Sequence, residues 1–404
     1  MPAHDDALAS RLFRLSIGPY FIGGVVLSLV SLLVPRLKLL MGLDYTQASL
    51  VQLAFHSSYL LFALPITAAL VAIGYLRGTA AGAAVMAIGC GGFIVATGLN
   101  SFPGVLLALL TLAGGVTFLQ IAGNVIIAVI EREERAVARL SLLQGFNSLG
   151  TVIAPLAGAP FLLAERSAAG DERAWVTISV PFILCIVLLL GVAAAFWAGR
   201  DLMRGHDEPR RIPAAALLRV LADRRLAGGS VAMFGYVGAE VTIGTLLTNY
   251  LVQPQILDAT PVAAGRLVSL YWAGAMMGRF AGSVLLVRWP PPRLLAAMAI
   301  AATGLTLAAT VATGVLGAAV LIAVGLCNSI MYPTLFALAL PDDRAVAPYA
   351  SMVLCMAVVG GAVIPVLTGM LADASTLAAS LTLPAGCYVV IAAFALVRGR
   401  MAAA

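Results

Sequence analysis

About twelve stretches of this chain are apolar over ~20 residues, the length a helix needs to cross the hydrocarbon core of a bilayer. No other feature restricts the fold as much. Inside lipid every backbone N–H and C=O must find its partner within the protein, so runs of this length fold as helices. The runs occupy residues 15–35, 50–73, 79–99, 103–129, 140–163, 176–198, 227–252, 263–286, 294–313, 315–338, 347–371 and 379–397. With 62% hydrophobic and only 10% charged residues among 404, the chain carries more apolar surface than a soluble core can hide. The expected class is an all-α polytopic membrane protein with twelve transmembrane helices.

Charge sets the orientation, because Lys and Arg accumulate in cytoplasmic loops. With the N-terminus inside, 19 of the 24 Lys and Arg residues fall on the cytoplasmic side, Arg77 and Arg279 among them. Arg36, Lys38, Arg166, Arg173 and Arg266 fall outside. Both termini are thus expected in the cytoplasm, in agreement with an even number of spans. The +6 net charge follows from this topology and calls for no nucleic acid. The opening "MPAHDDALASRLFR" holds two arginines but no small-residue cleavage site, so it reads as the start of a retained signal anchor. The five cysteines all fall inside expected spans without metal-ligand spacing, and read as small buried hydrophobes.

The longest hydrophilic segment, 199–225, divides the chain into a six-helix bundle at 1–198 and another at 226–404, joined by a cytoplasmic linker. The halves echo each other. "GYLRG" at 74–78 is matched by "GRFAG" at 278–282, and Asn124 in "LQIAGNVIIAV" by Asn328 in "GLCNSIMYPTLFAL". "GTVIAPLAG" at 150–158 is matched by "GGAVIPVLTG" at 360–369. An internal duplication leaves this pattern, and two-bundle transporters are built on one.

Polar side chains inside spans are costly unless they face a partner or a water-filled cavity. Gln52, His56 and Tyr59 recur at helical spacing in span two, Gln120 and Asn124 in span four, and Gln144 and Asn147 in span five. Tyr236 and Glu240 do so in span seven, and Asn328, Ser329 and Tyr332 fall in span ten. The spacing puts each paired set on one face of its helix. Any single group among them is explained equally well by a bond from one helix to the next, at ~1 kcal/mol each. Together, carboxamides that both donate and accept suit a neutral solute rich in hydroxyl groups, and Tyr271 and Trp272 in span eight offer flat faces for stacking. The candidate binding set is therefore Gln52, His56, Gln120, Asn124, Gln144, Asn147, Glu240, Tyr271, Trp272 and Asn328, and a monosaccharide is the ligand class it fits.

Glu240, in "FGYVGAEVTIGTLLTNYL", is the one acid of 18 expected near a bilayer midplane. A carboxylate isolated there takes up a proton, or pairs with a cation or with polar neighbours. Three roles stay open: a proton site in coupled transport, an acceptor for substrate hydroxyls, and a structural acid bonded to a neighbouring helix.

Six segments spread over nearly the whole chain carry a family resemblance. They are "PRLKLLMGLDYTQASLVQLAFHSSYLLFALP" (35–65), "SLLQGFNSLGTVIAPLAG" (141–158), "YVGAEVTIGTLLTNYL" (236–251), "SLYWAGAMMGRFAGS" (269–283), "GLCNSIMYPTLFALAL" (325–340) and "MAVVGGAVIPVLTGMLAD" (356–373). In them the chain resembles the fucose/galactose/glucose:proton symporter branch of the major facilitator superfamily. The resemblance implies two six-helix bundles, a central sugar site, alternating access, a place in the inner membrane and action as a monomer. It also implies coupling through an aspartate near the end of helix one and a glutamate in helix four. Here the chain departs from the pattern. The family's "ND-x-L-x-P" falls on "VSLLVP", with Ser31 where the aspartate would be, and "ETAANP" falls on "QIAGNV", with Gln120 for the glutamate and Val125 for the proline. Glutamine hydrogen-bonds a hydroxyl but cannot titrate. The expectation is a secondary sugar carrier that is either a uniporter or atypically coupled to proton or sodium, with Glu240 the candidate coupling residue.

Efflux of another small molecule is the alternative within transport, because "GTVIAPLAG" is similar to the Gly/Pro motif of drug antiporters, although it lacks their "GP" pair. A non-transporting sensor is the alternative outside it. Neither a cofactor nor an enzymatic activity is expected: His4, His56 and His206 show no metal spacing, no serine sits in a nucleophile elbow, and there is no P-loop. Arg77 and Arg279, at equivalent cytoplasmic corners, are candidate gating residues that would pair with helix ends or with loop acids such as Glu131 and Asp342.

Overall fold

Backbone that cannot borrow hydrogen bonds from water closes on itself, and the apolar runs do so as long helices. The computed structural model describes residues 3–42, 45–131, 133–162, 172–203, 220, 222–343 and 346–401. In chain order the helices are α1 (Ala3–Met41), α2 (Tyr45–Leu61), α3 (Ala63–Ile73), α4 (Tyr75–Gly98), α5 (Phe102–Ile130), α6 (Glu133–Leu162), α7 (Glu172–Ala198) and α8 (Arg224–Leu251). They continue as α9 (Pro261–Arg288), α10 (Pro291–Val311), α11 (Gly314–Asn328), α12 (Met331–Ala339), α13 (Ala347–Ala357), α14 (Gly360–Ala374), α15 (Leu377–Ser380) and α16 (Thr382–Met401). Among the described residues ten spans are long and apolar enough to cross a membrane, and α2 with α3 adds an eleventh as a pair bent by 51°. The protein is an all-helical, multi-pass membrane protein.

Local chemistry places the ends. Ser101 accepts a hydrogen bond from Gly104 N at the start of α5, Asp223 from Leu226 N at 2.8 Å at the start of α8, and Thr260 from Ala263 N ahead of Pro261 in α9. Gly74 separates α3 from α4 at φ 88°, a value that favours glycine. Several boundaries differ from those expected, among them breaks in span two at Phe62 and in span eleven at Val358 and Val359. The first helix begins at Ala3, because the "HDDALASRLFR" segment holds good helix formers with acids in the first turn. Span ten is two helices, α11 and α12, interrupted at Ser329 and Ile330 one turn before Pro333. Residues 204–219, which hold most of the expected linker, lie outside the described residues.

By contact the chain forms two compact units, each taking a short segment from the other half of the sequence. The first comprises Met1–Glu131, Phe146–Ala214 and Asp343–Cys355, and the second comprises Arg132–Gly145, Ala215–Asp342 and Met356–Ala404. In the first, α4 and α5 approach closely through Gly82, Gly89 and Gly115, as small residues allow in lipid. Apolar side chains cover the outer faces, with Val187 61% and Val311 81% exposed.

The duplicated glycine segments have the same job in both units. Gly150 of α6 packs on the Phe21 carbonyl of α1, and Gly360 at the start of α14 packs on the Phe234 carbonyl of α8. A methyl group at either position collides with backbone, which cannot yield as a side chain tip does. Gly150→Ala and Gly360→Ala are each expected to cost about 1–3 kcal/mol, read as a lower unfolding midpoint of the detergent-solubilised protein. Gly91→Ala, where a Cβ meets nothing within 4 Å, should leave that midpoint in place.

Candidate functional site

Pro333 carries no N–H, so the Ser329 carbonyl four residues earlier lacks the bond that a regular helix supplies. The second unit builds a polar cluster around this interruption. Asn328, the last residue of α11, is fully buried; its Nδ2 donates to the Tyr271 Oη at 2.7 Å and its Oδ1 accepts from the Tyr388 Oη at 2.8 Å. Its main-chain oxygen accepts from the Tyr236 Oη at 3.3 Å, and the Tyr271 Oη donates to the Glu240 main-chain oxygen at 3.2 Å. One asparagine thus ties together α8, α9, α11 and α16. A buried carboxamide left without partners would cost far more than the modest net gain of each bond, so the arrangement constrains all four helices.

Glu240 is paired. Its Oε1 lies 3.5 Å from Arg279 Nη2, and the two side chains are only 13% and 11% exposed. Arg279 Nε also donates to the Ser329 main-chain oxygen at 3.3 Å, and the Arg279 main-chain oxygen accepts from Ser141 Oγ at 3.1 Å. The helix end expected as a partner of Arg279 is found in the Ser329 carbonyl that follows α11, and the acid it meets is Glu240 of α8. Arg279 sits within the span Ala263–Arg288, where an internal carboxylate neutralises it. Asp342 is instead bonded to Arg225 at 2.5 Å, while Arg225 Nε donates to Leu338 O at 2.8 Å and so satisfies an orphan carbonyl of α12. Arg77 lies in the first turn of α4 and pairs with Asp201 at 3.7 Å, not with Glu131 or Asp342. Both side chains of that pair are well solvated, so it adds little stability.

In the first unit the Tyr20 Oη donates to the Asn124 Oδ1 at 2.5 Å, and Asn147 Nδ2 donates to the Tyr20 main-chain oxygen at 2.9 Å. Asn124 and Asn147 are therefore brought together through α1. Asn124 is buried, while Gln120 and Asn147 are half-buried. Gln144 is buried in the segment that joins the second unit. Trp272 is half-buried and meets Tyr271 edge-on at 5.1 Å between ring centroids, in space that Gly244 leaves open. Gln52 and His56 lie on α2, but their side chains, like that of Ser31, lie outside the described residues. Tyr20 and Tyr388 were not among the expected site residues. The available signal was a phenol inside an apolar run, since a buried tyrosine hydroxyl needs a partner.

The family model of the Major Facilitator Superfamily matches residues 19–341. The chain belongs to the Major Facilitator Superfamily. Within it, the glucose/galactose transporter of Brucella abortus (strain 9-941) is 35% identical over 409 residues, covering 98% of this chain and 97% of that protein. The L-fucose-proton symporter of Escherichia coli (strain K12) is 28% identical, covering 96% of this chain and 93% of its own. Among solved structures, the Escherichia coli facilitator FucP in its outward conformation matches with a TM-score of 0.84 at 26% identity, covering 96% of this chain and 98% of that one.

Replacing Tyr388 by Phe strands the Asn328 Oδ1 inside this facilitator. The variant is expected to lose about 1–3 kcal/mol, measured as a shift of the denaturation midpoint in detergent.

Proposed function

We infer that this facilitator is a secondary carrier that moves a monosaccharide of the glucose/galactose type across the inner membrane by alternating access. The observation that carries the reading is the 35% identity, over 98% of the chain, to a Brucella abortus protein named as a glucose/galactose transporter. The chemistry of the chain supports it. Half-buried Gln120 and Asn147 offer carboxamides to sugar hydroxyls and Trp272 offers a ring face, with Gln52 and His56 of α2 in the same role. Buried Asn124, Tyr271 and Asn328 act from behind, by holding the helices that present these groups. With α6 as a further span the count reaches twelve, in two six-helix bundles joined through 199–225, with both termini cytoplasmic. The carrier works as a monomer in the bilayer.

Transport is equilibrative in this reading. Ser31 and Gln120 stand where the family resemblance places its coupling carboxylates, and neither titrates in the working range. Glu240 is retained as the counter-ion of Arg279, because a buried guanidinium without a carboxylate is far more costly than the pair.

In proteoliposomes, labelled glucose or galactose is expected to equilibrate without overshoot, at a final level independent of an imposed proton or sodium gradient. Gradient-driven accumulation that Glu240→Gln abolishes while downhill counterflow continues would make Glu240 the coupling acid, and failure of any sugar to move would overturn the sugar reading. Gln120→Ala should raise KM about fivefold, the worth of one neutral hydrogen bond of about 1 kcal/mol.

A further inference from the structure

The interruption between α11 and α12 leaves the Ser329 carbonyl without a donor from its own helix, and inside a bilayer that is expensive. Arg279 supplies the donor. Its guanidinium bridges two elements: Nε bonds Ser329 O at 3.3 Å, and Nη2 meets Glu240 Oε1 of α8 at 3.5 Å. The donors of an arginine lie in one rigid plane, so fixing one edge on a carboxylate fixes where the other edge points. A lysine, with a single ammonium, cannot hold both at these positions. Asn328 precedes the interruption and Tyr332, whose ring lies 6.4 Å from that of Tyr236, follows it. Any shift of Ser329 therefore moves the tyrosine cluster. Discontinuous helices within spans are where carriers of this kind place substrate-contacting groups.

We propose that Arg279 is a positioning residue for sugar recognition: anchored on Glu240, its guanidinium sets the interrupted span at Ser329 and, through it, Asn328 and the tyrosines that converge there. The inference rests on the reading of the protein as a sugar carrier. It gives Glu240 a purpose apart from proton carriage, which is to orient Arg279.

The test compares wild type, Arg279→Lys and the double variant Glu240→Gln/Arg279→Gln in liposomes, with KM and Vmax for glucose and galactose and the unfolding midpoint of each. The double variant removes both charges together, so no uncompensated charge is left buried. It is expected to fold, with an unfolding midpoint lowered by the loss of the donor to Ser329 O, and to show KM raised about tenfold, with Arg279→Lys in between. A folded double variant with wild-type KM would mean that the charges are structural only, and the proposal falls. If the double variant does not fold, Arg279→Lys decides, since it keeps the charge: raised KM supports positioning and wild-type KM overturns it. If wild type moves neither sugar, the carrier reading fails, and hydrogen exchange tests the inference alone. Amides at 329–332 should then exchange about tenfold faster in the double variant, or in Arg279→Lys, than in wild type; equal exchange overturns the proposal.

Discussion

A guanidinium and a carboxylate 3.5 Å apart inside membrane-spanning helices hold each other there, since neither has bulk water to fall back on. The organisation of the second unit follows from that pair. Arg279 is tied to α8 through Glu240, and so its remaining donor reaches the carbonyl that Pro333 strands. Satisfying that carbonyl permits an interruption in span ten without an orphan polar group. The interruption in turn presents Asn328 to three tyrosine hydroxyls from α8, α9 and α16. Hydrocarbon thus enforces a chain of partners in which each polar group exists because the next one answers it.

The two halves share this logic but not its detail. In each, a tyrosine hydroxyl donates to the side-chain oxygen of the matched asparagine, Tyr20 to Asn124 and Tyr388 to Asn328. In each, a glycine of the matched segment rests on a carbonyl of a neighbouring helix, Gly150 on Phe21 and Gly360 on Phe234. The difference is a proline. Val125 follows Asn124 and α5 runs unbroken, whereas Pro333 lies beyond Asn328 and span ten is interrupted. An internal cation is found at the interrupted copy.

Much of the fold was legible in the chain because spans are written as apolar length, and their polar exceptions at helical spacing are easily seen. Glu240 stood out for that reason, and the glycine segments announced close helix approach. The mirror between "GRFAG" and "GYLRG" suggests a loop at both sites, although Arg279 falls inside the apolar run 263–286. Charge alone cannot tell a topological arginine from an embedded one; that depends on a carboxylate from another helix, a contact 39 residues away in sequence. A lone tyrosine in an apolar run, such as Tyr20 or Tyr388, carries no distinguishing signal until its hydroxyl faces an amide. α1 starts ahead of its apolar run because helix propensity continues beyond the residues that define the span.

A neutral sugar carried without an ion moves no charge, which makes coupling directly measurable. Proteoliposomes adsorbed on a solid-supported membrane would be given a glucose or galactose jump while labelled counterflow is followed on the same preparation. Counterflow with no displacement current in wild type is the result expected of an equilibrative carrier whose buried acid is the counter-ion of Arg279. A sugar-evoked current present in wild type and lost in Glu240→Gln would contradict that account and return Glu240 to the role of coupling site.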